Sequence, residues 1–538
     1  MLDSNPIHIL VHDVGTTGNK ACLYQVGKTL ELIDSHVVEY PIYVLDNGGV
    51  EQNVDEWWAA IIKSTRQVLQ TTGIDPQTIQ GMAFCAQMQG VVMVDESGKA
   101  LRNAMSYMDG RATDQIGRYL HTGFPRIDNM NLFKLLQFVR LIGGGAASTK
   151  DSLWKYLWVR DNEPEIFAAT HKWLDVKDYL VLRCTGEFTM GYDSANVTFV
   201  FDTRPGKLEW SESLCRSFDV EMAHLPDLVE ATQKVGVLLP KPAGELGLPE
   251  GVPIYGGGGD LSMISVGSGG FDLHDTHIYI GTSGWTVANI DKRMTDVNAM
   301  IAGVIGALPG RYNYIAEQET SGSCLQWVRD HLAKDEIGVY LEAQAVDSVQ
   351  EAESSLYDLL NAAVAETAPG CRGVIFTPWL HGNRSPFEDP YARGMFFNIS
   401  LETGKRHLIR SVLEGDAYHK RWMLEAIEKK VPRQDTLRFV GGGAQSDQWA
   451  QILAGVSARK IEVVADPQNV GALGAAITVA IGLGLTNFDH AKEMIKVEKS
   501  FEPLLENRDV YERQFEVFKK LYQQNRKLYR ELNKIERQ

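Results

Sequence analysis

The sequence predicts an α/β protein with one strand–turn–strand motif in each half, and two observations lead there: a Gly-Thr turn that occurs twice, and helical segments alternating with short apolar strands. Ile7 to His12 reads as a buried strand, Gly15-Thr16-Thr17-Gly18 as a tight turn and Ala21-Cys22-Leu23-Tyr24 as the returning strand. About half the chain later the same grammar returns. His277-Ile278-Tyr279-Ile280 is a strand, Gly281-Thr282-Ser283-Gly284 a turn, and Thr286 to Ile290 the strand back. Gly-Thr pairs are common in turns, but strands on both sides of both turns favour a duplicated domain over coincidence.

The other elements follow in order. Val54 to Leu69 has helical spacing and carries Trp57 and Trp58, Met82 to Ala86 and Gly90 to Val94 read as strands, and Leu153 to Val159 as helix. Gly143-Gly144-Gly145-Ala146-Ala147-Ser148 is a loop between helices. Leu437 to Val440 runs into Gly441-Gly442-Gly443, with helices from about Asp447 to Val456 and Gly471 to Ile481. From about Arg508, Tyr511, Phe515, Phe518, Tyr522, Tyr529 and Leu532 recur at helical spacing in a charged background. This predicts an amphipathic helix, and packing on its own domain is favoured over dimerisation because a coiled coil needs longer repeats.

Composition excludes several classes. Lys+Arg 53 against Asp+Glu 69 gives a net charge of −16, spread along the chain, which argues against a nucleic-acid binder. No apolar stretch approaches a bilayer span, so no membrane association is expected. Six scattered cysteines without a C-x-x-C, and an N-terminus without a basic n-region or apolar h-region, fit a reduced cytoplasm. No G-x-x-x-x-G-K-[ST] or G-x-G-x-x-G occurs.

Bound phosphates would therefore be held otherwise, and the two Gly-Thr turns suit the task. Glycine lets peptide N–H groups approach an anion, and threonine hydroxyls add donors without bulk. Asp13, beside the first turn, has the position of an acid that holds the water ligands of Mg²⁺, although alone it would read as a turn-forming aspartate. Ile254-Tyr255-Gly256-Gly257-Gly258-Gly259-Asp260 sets a carboxylate after four glycines just before the second turn, where it could accept a proton from an attacking hydroxyl.

These blocks, with others, resemble the FGGY carbohydrate kinases, and most nearly their xylulokinase-like branch, over roughly the first nine tenths of the chain. Asp13-Val14-Gly15-Thr16-Thr17-Gly18-Asn19-Lys20 is similar to the first phosphate motif, and Glu51-Gln52 with Trp57-Trp58 to an early segment. Gln87-Met88-Gln89-Gly90 resembles the sugar-facing loop, followed by Asp109-Gly110-Arg111, and Lys155 to Pro164 resembles most of the first signature. The run into Asp260 resembles the catalytic-aspartate block, and Gly281-Thr282-Ser283 the second phosphate motif. Trp379 to Pro386 and His407 to Glu414 are similar to later family segments. Gly441-Gly442-Gly443-Ala444-Gln445-Ser446-Asp447 and Gly471 to Ala476 resemble the adenosine motif.

The resemblance implies two ribonuclease H-like domains of the actin and sugar-kinase type with an interdomain cleft. The expected division is 1–268, carrying the sugar and first phosphate motifs, 269–490, carrying the second phosphate and adenosine motifs, and a helical extension over 491–538. It implies ATP and Mg²⁺, Asp260 as general base, and a small sugar of ketopentose type as substrate. Another sugar or polyol, or a sugar-binding homologue without catalysis, is the alternative. Implied sugar contacts are Gln87, Met88, Gln89, Asp109 and Trp57. Implied nucleotide contacts are Gly15, Thr16, Thr17, Lys20, Gly281, Thr282, Gly442, Gly443, Ala444 and Asp447, with Asp13 on the metal through water. A homodimer is compatible with the family and the last helix. Gln89 stands where xylulokinases have His, and Leu261 where an amide usually follows the catalytic aspartate. Both bear on which sugar is taken.

Overall fold

A computed structural model describes residues 6–127, 129–333 and 360–534. Two mixed sheets organise it. Counting only the strands of these sheets, the first contains β1 (His8–Val14), β2 (Gly18–Val26), β3 (Leu30–Glu39), β4 (Ile79–Ala86), β5 (Lys234–Val237), β6 (Pro253–Tyr255) and β7 (Gly258–Gly259), in the order β5-β6-β4-β1-β2-β3 with β7 also on β4. The second contains β8 (Thr276–Ile280), β9 (Gly284–Ile290), β10 (Thr295–Asp296), β11 (Ile301–Ile305), β12 (Tyr312–Gln318), β13 (Thr436–Val440), β14 (Lys460–Val464) and β15 (Val497–Phe501), in the order β10-β11-β12-β9-β8-β13-β14-β15.

The two sheets share a plan. In each, an antiparallel hairpin carries a Gly-Thr turn, β1–β2 in one and β8–β9 in the other, and a third antiparallel strand continues from it. On the other side the first strand of the hairpin pairs in parallel with a later strand, β4 or β13, reached by a long crossover. This topology bears out the repeat read from the turns, and the α/β class with it.

Helices cover the sheets. Those used below are α1 (Val54–Thr72), α2 (Ser152–Asn162), α3 (Val176–Thr185), α4 (Asp260–Gly267), α5 (Gly322–Val328), α6 (Lys405–Ile427), α7 (Asp447–Ser457), α8 (Val470–Gly482) and α9 (Arg508–Asn533). The α1 boundaries follow from local chemistry: Asn53 accepts the Asp55 N–H at the N-terminus, and Gly73, at φ 63°, closes the C-terminus by donating to Leu69 O. Trp57 and Trp58 both face inward.

The helix α8 crosses from late sequence to early fold. Its face of Val470, Leu473, Ala476, Ile477 and Ala480 packs with Ile9, Val11, Ala83 and Cys85 of β1 and β4. It also crosses α4 at backbone contact. A Cβ on Gly474 would lie 1.8 Å from Met263 O, and one on Gly267 would lie 2.0 Å from Val470 O. Only glycine permits that approach.

The amphipathic C-terminal segment forms α9 and packs on its own half of the molecule, with Tyr511, Phe515, Phe518, Leu521 and Tyr529 buried against Trp379 and Tyr418. The stretch from residue 491 is not wholly helical, because Val497–Phe501 forms the edge strand β15. Its mostly exposed, charge-rich surface is what an edge strand needs against unwanted pairing, and it hides the alternation by which a strand is read. All six cysteines are buried and free.

Candidate active site

The first turn is built to present amide hydrogens. Gly15 O accepts Tyr40 Oη (2.5 Å), Thr16 O accepts Gln52 Nε2 (2.7 Å) and Thr17 O accepts Tyr40 N (3.0 Å). The N–H and C=O of a trans peptide point in opposite directions, so with these carbonyls drawn inward the N–H groups of Thr16 and Thr17 point the other way. The second turn repeats the device with different partners. Gly281 O accepts Gly322 N (2.8 Å), and Thr282 O accepts both Ser321 N and Ser323 N (3.1 Å each). Thr282 is exposed at its tip.

Three strands bring the acids together. Asp13 on β1 stands beside Cys85 on β4, and Cys85 stands beside Gly258 on β7, so Asp13 and the glycine run are about 10 Å apart across the sheet. Asp260 opens α4 two residues later. The run is fixed by Asp193, whose Oδ2 accepts Gly259 N at 2.7 Å. Met88 packs on the same peptide: a Cβ on Gly259 would sit 2.3 Å from Met88 Cγ.

The Asp260 carboxyl is pushed up to about 7 by burial, opposed by the Leu261 N–H and reinforced by the charges of Asp13, Glu317 and Asp193. Burial also raises Asp13, against the opposing influences of Lys20 and the Cys85 thiol. Lys20 lies opposite Asp13 in the hairpin and donates to Asn469 Oδ1 (2.7 Å), just before α8. Leu261 joins Val287, Ile315 and Met88 in an apolar wall beside Asp260.

The loop after β4 is held in an uncommon shape. Gln89 has φ 63°, in the left-handed region. Asp175, the N-cap of α3, accepts Gln89 N (3.0 Å) and Gly90 N (2.7 Å), while Lys155 of α2 donates to Gln89 O (2.6 Å) and Ser106 O (2.8 Å). Both side chains are buried. Burial raises Asp175 to about 7 and lowers Lys155 to about 8. Gln87 donates from its backbone to Val14 O (2.9 Å) and from its side chain to Gln52 Oε1 (2.9 Å). A chain of amides, Gln87 to Gln52 to Thr16, thus joins this loop to the first turn.

Two predicted sugar contacts are enclosed in the protein. Trp57 has no exposure and belongs to the core with Leu10 and Phe84. Asp109 is equally buried, its carboxylate gripped by Arg111 at 2.7 and 3.0 Å and by Val50 N at 2.9 Å. Arg111 also pairs with Glu51 and lies over Trp158, 4.7 Å from the ring centre. The spacing of Asp109 and Arg111 is the signal of this internal pair.

At the other end, Gly442–Gln445 forms one short turn of helix after β13, and Gly441, at φ 91°, lies against Ile280 O of β8, so this turn abuts the second Gly-Thr turn. Gly442 borders open space. Asp447 opens α7, bonds Lys499 (2.8 Å) and lines a cavity of about 300 Å³ with Asn361, Gln445 and Gln448. Gly471 and Gly474 lie elsewhere, on the first sheet. A Cβ on Gly471 would meet Cys85 Sγ at 2.9 Å and Asp13 Oδ2 at 3.7 Å.

Sequence reading did not assign Asp193, Asp175, Tyr40 or Glu317. Each acts across long sequence distance and carries no local motif. Among the described residues no group of three or more His, Cys, Asp or Glu could cage a metal, and no helix is long and apolar enough to cross a membrane.

Residues 8–267 match the model of the FGGY family of carbohydrate kinases, N-terminal domain, and residues 277–483 that of its C-terminal domain. A xylulose kinase of Staphylococcus epidermidis is 29% identical over 518 residues, 96% of each chain, and a gluconokinase of Bacillus subtilis is 25% identical over 514 residues, 95% of this chain and 94% of that one. The crystal structure of ligand-bound xylulose kinase from Lactobacillus acidophilus superposes with a TM-score of 0.82 at 21% identity, covering 98% of this chain and 99% of that one.

Proposed function

Since the chain belongs to the FGGY family of carbohydrate kinases, we propose that it transfers the terminal phosphate of ATP to a hydroxyl of a small sugar of ketopentose, xylulose-like type, with Asp260 as general base. One observation carries the assignment of the base. Asp260 is a half-buried carboxylate raised to about 7 at the end of the glycine run, where it feels the charges of Asp13 and Glu317. A base poised near neutral pH has the best compromise between being deprotonated and accepting a proton.

The residues then divide the work. The sugar lies against Gln87, Met88 and Gln89, with its attacking hydroxyl toward Asp260. The amides and hydroxyls of Thr16, Thr17 and Thr282 hold phosphate oxygens, Lys20 adds charge at the first turn, and the turn at Gly442, Gly443 and Ala444 with Asp447 takes the adenosine end. Asp260 accepts the proton of the hydroxyl as its oxygen bonds to phosphorus and the bond to ADP breaks. Mg²⁺ fits the acids present, because it keeps most of its waters and needs one or two carboxylates, which Asp13 provides through water. When bound, it neutralises charge on the phosphates. Trp57 and Asp109 shape the sugar site from behind rather than touching substrate.

The test is ADP release with Mg²⁺ATP across ketopentoses, aldoses, deoxysugars, polyols and gluconate, beside Asp260→Ala. Activation by one member, lost in the variant, supports the reading. ATP turnover indifferent to the whole panel refutes it. Gluconate belongs in the panel because of the gluconokinase relative, and deoxysugars because of the apolar wall at Leu261 and Met88.

A second result is expected at Lys155. Lys155→Met removes the charged donor from Gln89 O and from Ser106 O, which keeps only the Asp109 N–H, and releases Gln89 from its left-handed conformation. At roughly 1.5–3 kcal/mol for a charged hydrogen bond, the KM for sugar should rise about 10- to 100-fold while the KM for ATP stays within about twofold. Steady-state kinetics with each substrate varied in turn checks this split.

A further inference from the structure

A buried polar cluster lies beneath the second Gly-Thr turn, and the mechanism above does not use it. On β9 and β12, Gly284 is opposite Gln318, Thr286 opposite Ala316 and Ala288 opposite Tyr314, so these pairs share one face of the sheet. The helix α6 lies on that face with Asp416, Lys420, Met423 and Ile427 at helical spacing. Away from the turn the contact is apolar, since Met423 and Ile427 pack with Ala288, Tyr314 and Ala316. Toward the turn it becomes charged.

Asp416 Oδ1 accepts Ser321 Oγ (2.7 Å) and Gln318 Nε2 (2.9 Å). The Lys420 ammonium lies against the turn itself: a Cβ on Gly284 would come within 2.2 Å of Nζ and 2.8 Å of Ser321 Oγ. Lys420 and Asp416 are both wholly buried. Among the described residues, Lys420 Nζ, Asp416 Oδ2, Gln318 Oε1 and Thr286 Oγ1 have no hydrogen-bond partner.

Stability does not account for this arrangement. Asp416 and Lys420 feel each other's charge without a direct hydrogen bond, replacing buried opposite charges together by apolar groups of similar volume is often neutral or stabilising, and the rest of the same interface is already apolar. What distinguishes the charged end is its contact with Gly284 and Ser321. These residues flank the two sides of the phosphate turn, because Ser321 N is one of the donors that draws Thr282 O inward.

We propose that Lys420 is a positioning residue for the phosphate donor: with Asp416 it fixes Gly284 and Ser321, and so aims the Thr282 and Ser283 amides at the nucleotide's phosphates. The inference rests on reading the second turn as a phosphate site. It adds that this chain sets the shape of the turn by buried charge, and that the cation beneath it contributes to the potential an anion meets there.

The experiment compares Lys420→Met with Thr282→Val in the full chain. Lys420→Met should raise the KM for ATP about tenfold, equivalent to about 1.4 kcal/mol, with the KM for sugar within about twofold, and it should lower the melting temperature because Asp416 is left buried without its countercharge. An unchanged KM for ATP in Lys420→Met beside a raised one in Thr282→Val overturns the proposal and leaves the reading of the turn standing. No change in either variant overturns both. Should Lys420→Met not fold, Asp416→Asn, which keeps an acceptor for Ser321, is tested by thermal shift with ADP. Weakened stabilisation by ADP supports the proposal, and stabilisation equal to wild type overturns it.

Discussion

Asp260→Asn should lower kcat by about 10³-fold or more, since general-base catalysis contributes up to roughly 10⁴-fold, while the KM for each substrate changes little. Asparagine keeps the shape of the carboxylate and can still accept the Leu261 N–H, so the loss is specific to proton acceptance. In the wild type, kcat/KM should rise with pH through about 7 and then level, because the ionised carboxylate is the active form. The same substitution has an opposite effect on stability. The folded-state pKa of Asp260 lies above its ordinary value, so between about pH 4 and pH 7 the native state binds a proton that the unfolded chain does not, and this contribution to stability is lost as pH rises through about 7. Asp260→Asn should therefore melt higher than wild type at pH 8 and at about the same temperature at pH 4. Melting curves at the two pH values check this without an activity assay, and a variant no more stable at pH 8 would show that the carboxylate is not desolvated.

Gly474→Ala should disable the enzyme although position 474 touches no substrate. Its methyl would lie 1.8 Å from Met263 O and 2.9 Å from Gly267 N, and both obstacles are backbone, so the helices α4 and α8 must separate. Overpacking of this kind costs roughly 1–3 kcal/mol or more. The displacement is transmitted directly to the chemistry, because Asp260 opens α4 and the N-terminus of α8 adjoins Asp13. Misplacement by about 1 Å can cost about 10²-fold, so kcat should fall by at least that factor. Gly117→Ala, on a helix with nothing near the added methyl, is the control and should leave kcat unchanged. Wild-type kcat in Gly474→Ala would mean that the crossing tolerates expansion.

What the sequence made legible was local. Each Gly-Thr turn lies between its own two strands, and Asp260 ends a run of glycines whose close packing announces itself in composition, so these were readable and their mutual placement followed from the repeat. What stayed hidden was set between segments far apart in the chain. Asp193 fixes the peptide before Asp260 from 66 residues away, and Asp175 holds Gln89 from 86. Neither lies in a pattern that periodicity can detect. Trp57 and Asp109 were readable as part of a block but not as enclosed, because burial depends on what the rest of the chain lays over them. Lys420 reads as one more charge in a helix until Gly284 is found against its ammonium.

The packing of α8 on β1 and β4 has a consequence for how the chain comes to be folded at all. The strands of the first sheet are complete once β7 has been made, yet the helix that covers one of their apolar faces lies about 200 residues further on. At about 5–20 residues per second that interval is roughly 10–40 s. During vectorial synthesis the leading half therefore waits with a hydrophobic surface uncovered, and the nascent chain is most exposed to aggregation and most in need of a chaperone while its second half is still being translated.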